Sequence, residues 1–154
     1  MDNSHNGLKE YLKSSGVEFE HLVFDKSCHS VKEASMASNE KEENFVKNVC
    51  MSDESGNLIV AIVLGNRRAS TKRVAKALGV DKIKVATPEF IEQKSGYKIG
   101  GVPSFGFDAV FIVDNEVVQK EYILTGGGSE FALVKIDTKD LITLNNAKVC
   151  RVRK

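Results

Sequence analysis

Apolar residues along this chain change spacing repeatedly, between every third or fourth position and every second. In "GLKEYLKSSG", Leu8, Tyr11 and Leu12 fall at i, i+3 and i+4 and Gly16 follows, which predicts a short amphipathic helix. "VEFEHLVF" then alternates apolar and polar residues as a half-buried strand does. Ser30 and Glu33 in "SVKEASMAS" have capping-box spacing, so a second helix is expected to begin there. His29 just precedes it and reads as a surface or capping residue. "NFVKNVCM", the turn "DESGN" and "LIVAIVLGN" predict a hairpin, and the unbroken apolar run of its second strand predicts burial on both faces.

The next segment, "STKRVAKALG", has helical spacing with Val74, Ala77 and Leu78 inward, Lys and Arg outward, and Gly79 as its stop. After the short strand "KIKVA", Thr87 as N-cap and Pro88 at the first helical position open a helix through "EFIEQKSG". The segment "SGYKIGGVPSFGF" follows, residues 95–107, with four glycines and one of the chain's two prolines. Then come the strands "DAVFIVD" and "EYILT", the loop "GGGSE", the strand "FALVKI", a helix "TKDLITL" capped by Asp137, and a last strand "KVCRV". Strands succeed one another without the regular alternation of a parallel sheet. The expected architecture is α+β: a mixed, curled, barrel-like sheet surrounded by helices, with residues 1–154 as one domain.

Composition narrows the classes of activity. With 154 residues, 42% hydrophobic and 28% charged, the chain can bury one core of its own. The run Leu58 to Leu64 is far short of the ~20 residues that span a bilayer, and the polar opening "MDNSHNGLKE" has no signal-peptide core. A cytoplasmic protein without membrane partners is expected. Cys28, Cys50 and Cys150 are odd in number and show no metal-ligand spacing with each other or with histidine, so free thiols, no zinc and no other cofactor are expected.

A net charge of +1 argues against a general nucleic-acid coat, and DNA is not an expected partner. The charge is uneven, however. Residues 67–84 hold seven Lys/Arg against one Asp, and the tail "KVCRVRK" holds four with no acid. Arg67, Arg68, Lys72, Arg73 and Lys76 are therefore candidates either for a polyanion footprint or for an ordinary solvated helix face.

Candidate chemistry is sparse. Glycine serves where the backbone turns to positive φ or where something must approach closely, and Pro103 pushes Val102 toward extended geometry, so the 95–107 segment is either a structural turn or a binding loop. Lys47 lies within an apolar strand pattern. Strict alternation turns it to solvent, while on a curled sheet the same face can line a cleft, where an ammonium would attract an anionic or carbonyl-bearing substrate. The second glycine loop, with Gly126, Gly127 and Gly128, could cradle phosphate on its N–H groups, but it has neither the P-loop ending nor the dinucleotide-binding spacing. No HExxH, GxSxG, paired carboxylate or Ser/His/Asp arrangement stands out. A metal-free mechanism without a nucleophile triad remains.

Taken in order, "YLKSSGVEFEH", "HSVKEAS", "FVKNV", "GNRRASTKRVAKALG", "SGYKIGGVPSFG", "GGGS" and "DTKDLI" resemble the YbaK / prolyl-tRNA synthetase-associated editing-domain family. The likeness runs from about Leu8 to Val149 and is most specific at "GYKIGGVPSFG" and the upstream lysine. It implies a compact α+β domain that hydrolyses misacylated tRNA without a metal. The expected substrate is tRNA(Pro) or tRNA(Cys) carrying a small amino acid such as Cys, Ala or Ser, and the expected partner is the acceptor end of the tRNA, with a synthetase as a further candidate. The resemblance puts the family's strand lysine on Lys47 as catalytic residue and its substrate loop on Gly100, Gly101, Val102, Pro103, Ser104 and Gly106. Two departures bear on amino-acid specificity. Where the family often has G-x-x-x-P, the fifth position from Gly100 is Ser104 with Pro103 one place earlier, and Phe107 stands where a histidine is common. The alternatives are a catalytically silent RNA-binding or regulatory module of the same fold, and a small-nucleotide binder using loop 125–130.

Overall fold

A computed structural model describes residues 4–154; the first three residues of the polar opening lie outside the described residues. Among the described residues three helices begin on a Ser or Thr cap that the sequence supplies. Helix α1 (Ser4–Ser15) buries Leu8 and Leu12 completely and is followed by Gly16 at a φ of 78°. Strand β1 (Phe19–Val23) leads to helix α2 (Val31–Ser38), where the Ser30 hydroxyl accepts from the Glu33 N–H and donates to the Glu33 carboxylate. Strands β2 (Val46–Asp53) and β3 (Leu58–Leu64) form the expected hairpin, its turn held by Asp53, which accepts from the N–H groups of Ser55 and Asn57.

Helix α3 (Thr71–Leu78) starts at the Ser70 cap and stops at Gly79, burying Val74 and Ala75 with Ala77 and Leu78 at its edge. Strand β4 (Ile83–Val85) and helix α4 (Pro88–Ser95) follow, the Thr87 hydroxyl accepting from the Phe90 N–H. The chain closes with β5 (Val110–Asp114), β6 (Tyr122–Gly126), β7 (Ala132–Asp137), α5 (Thr138–Asn145) and β8 (Lys148–Cys150). Asp137 stands at the N-cap of α5 as the sequence suggests, yet its side chain makes no capping hydrogen bond.

The architecture is α+β, and its strands divide into two sheets that do not close. One is antiparallel with the order β1-β7-β6; the other is mixed, β4-β2-β3-β5-β8, with β3–β5 and β5–β8 parallel. Among the described residues a single bridge, Phe45 to Leu124, joins them. Strand β3 is central and wholly buried because its two faces serve different cores. Val60 and Ile62 pack with Phe105, Ile123 and Val134, while Ile59, Ala61 and Val63 pack with Val74 of α3 and Val152 of the tail. A third cluster of Cys28, Ala34, Phe45, Leu124 and Leu133 fills the junction where the sheets meet. Among the described residues no helix is long and apolar enough to cross a membrane.

Candidate functional site

Strand alternation sets the first feature of the site. Lys47 points away from Val46 and Cys50, onto the face of β2 that carries Met51, and is exposed as alternation requires. It also stands at the rim of a cleft of about 470 Å³ opened by the junction of the two sheets. Its Nζ donates a long hydrogen bond of 3.4 Å to the Arg67 carbonyl. The lining of this cleft includes the apolar Val31 and Ala34 of α2, Phe45 and Leu133, together with Asn48, Thr125, Gly100, Val102 and Gly126. Lys47 and the two glycine segments, far apart in sequence, therefore share one cavity.

Under the cleft lies a closed ring of hydrogen bonds. The Asn48 amide Nδ2 donates to Thr125 Oγ1 at 2.9 Å, Ser104 donates to Asn48 Oδ1 at 2.6 Å, and the Ser104 and Thr125 hydroxyls are 2.7 Å apart. Because the one proton of Ser104 goes to Asn48, Thr125 must donate to Ser104, and the three groups satisfy one another around the ring. The second Asn48 N–H goes to the Val102 carbonyl at 2.9 Å, and Asn145 holds the Ser104 carbonyl at 3.0 Å. Ser104 is fully buried with its hydroxyl committed, so it clamps the loop between β2 and β6 rather than facing the cavity. Sequence reasoning missed Asn48 and Thr125; Asn48 immediately follows the candidate lysine, and that adjacency was the available signal.

The glycines divide by what they touch. A Cβ on Gly101 would lie 2.6 Å from the Cα of Ser129, and one on Gly126 would lie 2.8 Å from the carbonyl carbon of Val102. Both therefore allow the two glycine loops to pack backbone on backbone, fastened by the Gly128 N–H to the Gly101 carbonyl at 2.9 Å. The Gly127 N–H goes to the Ala132 carbonyl, so the N–H groups of Gly127 and Gly128 are spent within the fold and no longer support a phosphate cradle at 125–130. Pro103 is buried, and Gly106 lies against Leu8 and Tyr11 of α1 rather than at the cleft. Gly100, at a φ of 95°, leaves room for the ring of His29. His29 thus belongs to the cleft, although from sequence it read only as a surface or capping residue. Cys28 lines the cleft too, but burial pushes its thiol up to about 11, so it stays protonated near neutral pH and is no thiolate nucleophile.

The candidate cations occupy the turn after β3 and the outer face of α3. Arg67 is tied to Glu116 by two hydrogen bonds of 2.9 Å, whereas Arg68, Lys72, Arg73 and Lys76 are exposed. Among the described residues no three His, Cys, Asp or Glu side chains are grouped so as to hold a metal ion.

Below the second glycine loop sits a histidine pair. His21 Nε2 is 3.0 Å from the Gly127 carbonyl, and His5 Nδ1 is 3.0 Å from Ser129 Oγ, with the two rings 5.8 Å apart. A carbonyl only accepts, so Nε2 of His21 carries the proton, and its Nδ1 is buried without a partner. Protonating Nδ1 would bury an unmatched N–H. Burial, first, and then the nearby His5 and Lys9 hold His21 below its ordinary 6.5, against the opposing pull of the Gly127 carbonyl. The unfolded chain then takes up this proton more readily than the folded one. The His21 contribution is complete above 6.5 and drains away as pH falls toward the depressed folded value. The urea midpoint is expected to drop as pH falls below 6.5, and to drop less in His21→Gln, which keeps a donor for Gly127 but does not titrate. Equal pH dependence in the two proteins would show that His21 is not the group responsible.

Comparison with known proteins agrees with this architecture. A candidate trans-editing enzyme for prolyl tRNA synthetase superposes with a TM-score of 0.90 at 23% identity, over 100% of this chain and 99% of that one. The hypothetical protein APE2540 gives 0.88 at 24% identity, over 96% and 99%. A candidate signal transduction protein from Marinobacter aquaeolei VT8 gives 0.69 at 16% identity, over 96% of this chain but 30% of that one. At these identities the likeness is one of fold. The chain belongs to the aminoacyl-tRNA editing domain family, whose model matches residues 25–144, a span that holds every residue lining the Lys47 cleft.

Proposed function

We propose that this protein acts in trans as a deacylase, hydrolysing the ester of a misacylated tRNA whose aminoacyl end enters the Lys47 cleft. The observation that carries the reading is the convergence of Lys47, Gly100, Val102 and Gly126 on one cavity within the span matched to the editing family. An aminoacyl ester is already activated, so its hydrolysis asks for a positioned water and stabilisation of the developing oxyanion rather than a strong nucleophile. Water adds to the ester carbonyl, the tetrahedral intermediate collapses, and the ribose oxygen leaves with a proton, releasing the amino acid and the free tRNA hydroxyl. Lys47 supplies positive charge for the carbonyl or the terminal phosphate. The start of α2, whose Ser30 and Val31 border the cleft, adds the partial positive charge of a helix N-terminus. The neighbouring ribose hydroxyl of the substrate helps to orient the water.

The cleft also bears on the amino acid. Its walls of Val31, Ala34, Phe45 and Leu133 are apolar, and none of its lining residues is a carboxylate that could pair with a cationic side chain. This favours a small uncharged group such as Cys, Ala or Ser; tRNA(Pro) or tRNA(Cys) as its carrier rests on the family resemblance alone. Incubation with tRNAs each charged with a different amino acid, following ester loss, tests the reading. Cys-, Ala- or Ser-tRNA is expected to lose its ester well ahead of Lys- or Arg-tRNA. If no charged tRNA loses its ester faster than in buffer, the deacylase reading fails.

A further inference from the structure

Two basic stretches that are separate in sequence meet in space. Beyond β8 the tail pairs back onto the turn before α3: Ala69 and Arg153 form an antiparallel bridge, the Ser70 N–H donates to the Val152 carbonyl at 2.7 Å, and the Lys154 N–H donates to the Arg68 carbonyl at 2.8 Å. Val152 is fully buried beneath α3. Asp114, also fully buried, fixes the register, since its Oδ1 accepts from the Val152 and Arg153 N–H groups at 2.8 and 3.0 Å and its Oδ2 from the Arg153 guanidinium at 2.8 Å. The tail is therefore a built part of the surface, not a frayed end.

The charges along this junction fall into two sets. Arg67 is taken up by Glu116 and Arg153 by Asp114, and Glu116 also lies 3.8 Å from the Arg153 Nε. Arg68, Lys72, Arg73, Arg151 and Lys154 are exposed and enter none of the ion pairs found among the described residues. Two of these, Lys72 and Arg73, stand in the first turn of α3, which has no acidic residue. A helix N-terminus already carries about half a positive charge, so cations there are repelled and the arrangement costs stability that an anion from outside would offset. Lys47 touches the same turn through the Arg67 carbonyl, so this cationic surface begins at the rim of the cleft.

The geometry points to one composite cationic face, built from the turn before α3, the first turn of α3 and the pinned C-terminal tail, that grips the phosphodiester backbone of an RNA duplex beside the Lys47 cleft. It makes Arg151 and Lys154 contact residues. The choice of RNA as the polyanion rests on the deacylase reading; the face itself rests on the charges and the pairing of the tail.

The test is binding of an uncharged RNA hairpin with the length of a tRNA acceptor stem, measured across a salt series. Each lost phosphate contact flattens the slope of log affinity against log salt by roughly 0.9, so Arg151→Gln with Lys154→Gln is expected to flatten it by about 2 units, and Arg68→Gln with Arg73→Gln by a similar amount. Lys9→Gln with Lys13→Gln removes the same charge from α1 and is expected to leave the slope unchanged. Wild-type affinity and slope in the tail variant, or an equal loss in the α1 variant, would overturn the proposal. Hydrolysis of a small aminoacyl ester reads the cleft separately. Unchanged RNA binding in the tail variant with intact ester hydrolysis removes this face alone, whereas salt-dependent RNA binding without any ester hydrolysis keeps the face and removes the deacylase.

Discussion

Lys47→Ala is expected to lower deacylation by roughly 10²-fold or more, the scale on which loss of a single transition-state electrostatic donor acts. The fold should survive. Lys47 is exposed, and its side chain is held by the long hydrogen bond to the Arg67 carbonyl, so the stability change should stay within about 0.5 kcal/mol, as at other surface sites. The loss should appear in kcat for a small aminoacyl ester as well as for charged tRNA, because a group that acts on the reacting carbonyl is needed whatever carries the ester. A loss confined to tRNA would instead assign Lys47 to the terminal phosphate. A well-folded Lys47→Ala protein with undiminished activity on both substrates would sink its catalytic role.

Gly126→Ala is expected to destabilise the fold by the addition of a single methyl group. The new Cβ would meet the carbonyl of Val102, a main-chain group held in turn by the Asn48 amide at 2.9 Å. Neither side can give without breaking the Asn48, Thr125 and Ser104 ring, and overpacking of this kind costs about 1–3 kcal/mol or more. Gly7→Ala is the matched control. It lies within α1, a Cβ there would meet nothing within 4 Å, and the change should stabilise by about 0.5–1 kcal/mol. Urea denaturation of the two variants reads the difference directly. If Gly126→Ala unfolds at the wild-type midpoint, the glycine loops do not pack backbone to backbone as described.

The reason those glycines are present changed between sequence and structure. In sequence, the 95–107 segment and loop 125–130 each read as places where the backbone could admit a ligand. In the fold, Gly101 and Gly126 are small chiefly for each other's loop, and Gly100 alone among them leaves its space to a side chain of the cleft, His29. Ser104 shows the same shift, from one residue of the expected substrate loop to the buried member of a ring. Arg67 read as one cation of a basic stretch, yet Glu116, on the far side of β5, neutralises it.

By itself the sequence determined the type and order of the helices and strands, the burial of β3 on both faces, the α+β class and the family. These rest on interactions within a few residues: the Ser30, Ser70 and Thr87 caps, the stop at Gly79, and the period of apolar positions. Only the tertiary structure decided that the strands would split into two sheets, that the cleft would open at their junction, and that the tail would lie beside α3. The physical reason is the range of the forces involved. Caps and periodicity are satisfied by neighbours along the chain, whereas the Asn48 amide finds its partners 54 and 77 positions away, and His29, Glu116 and Arg153 acquire their roles only from what folding places opposite them.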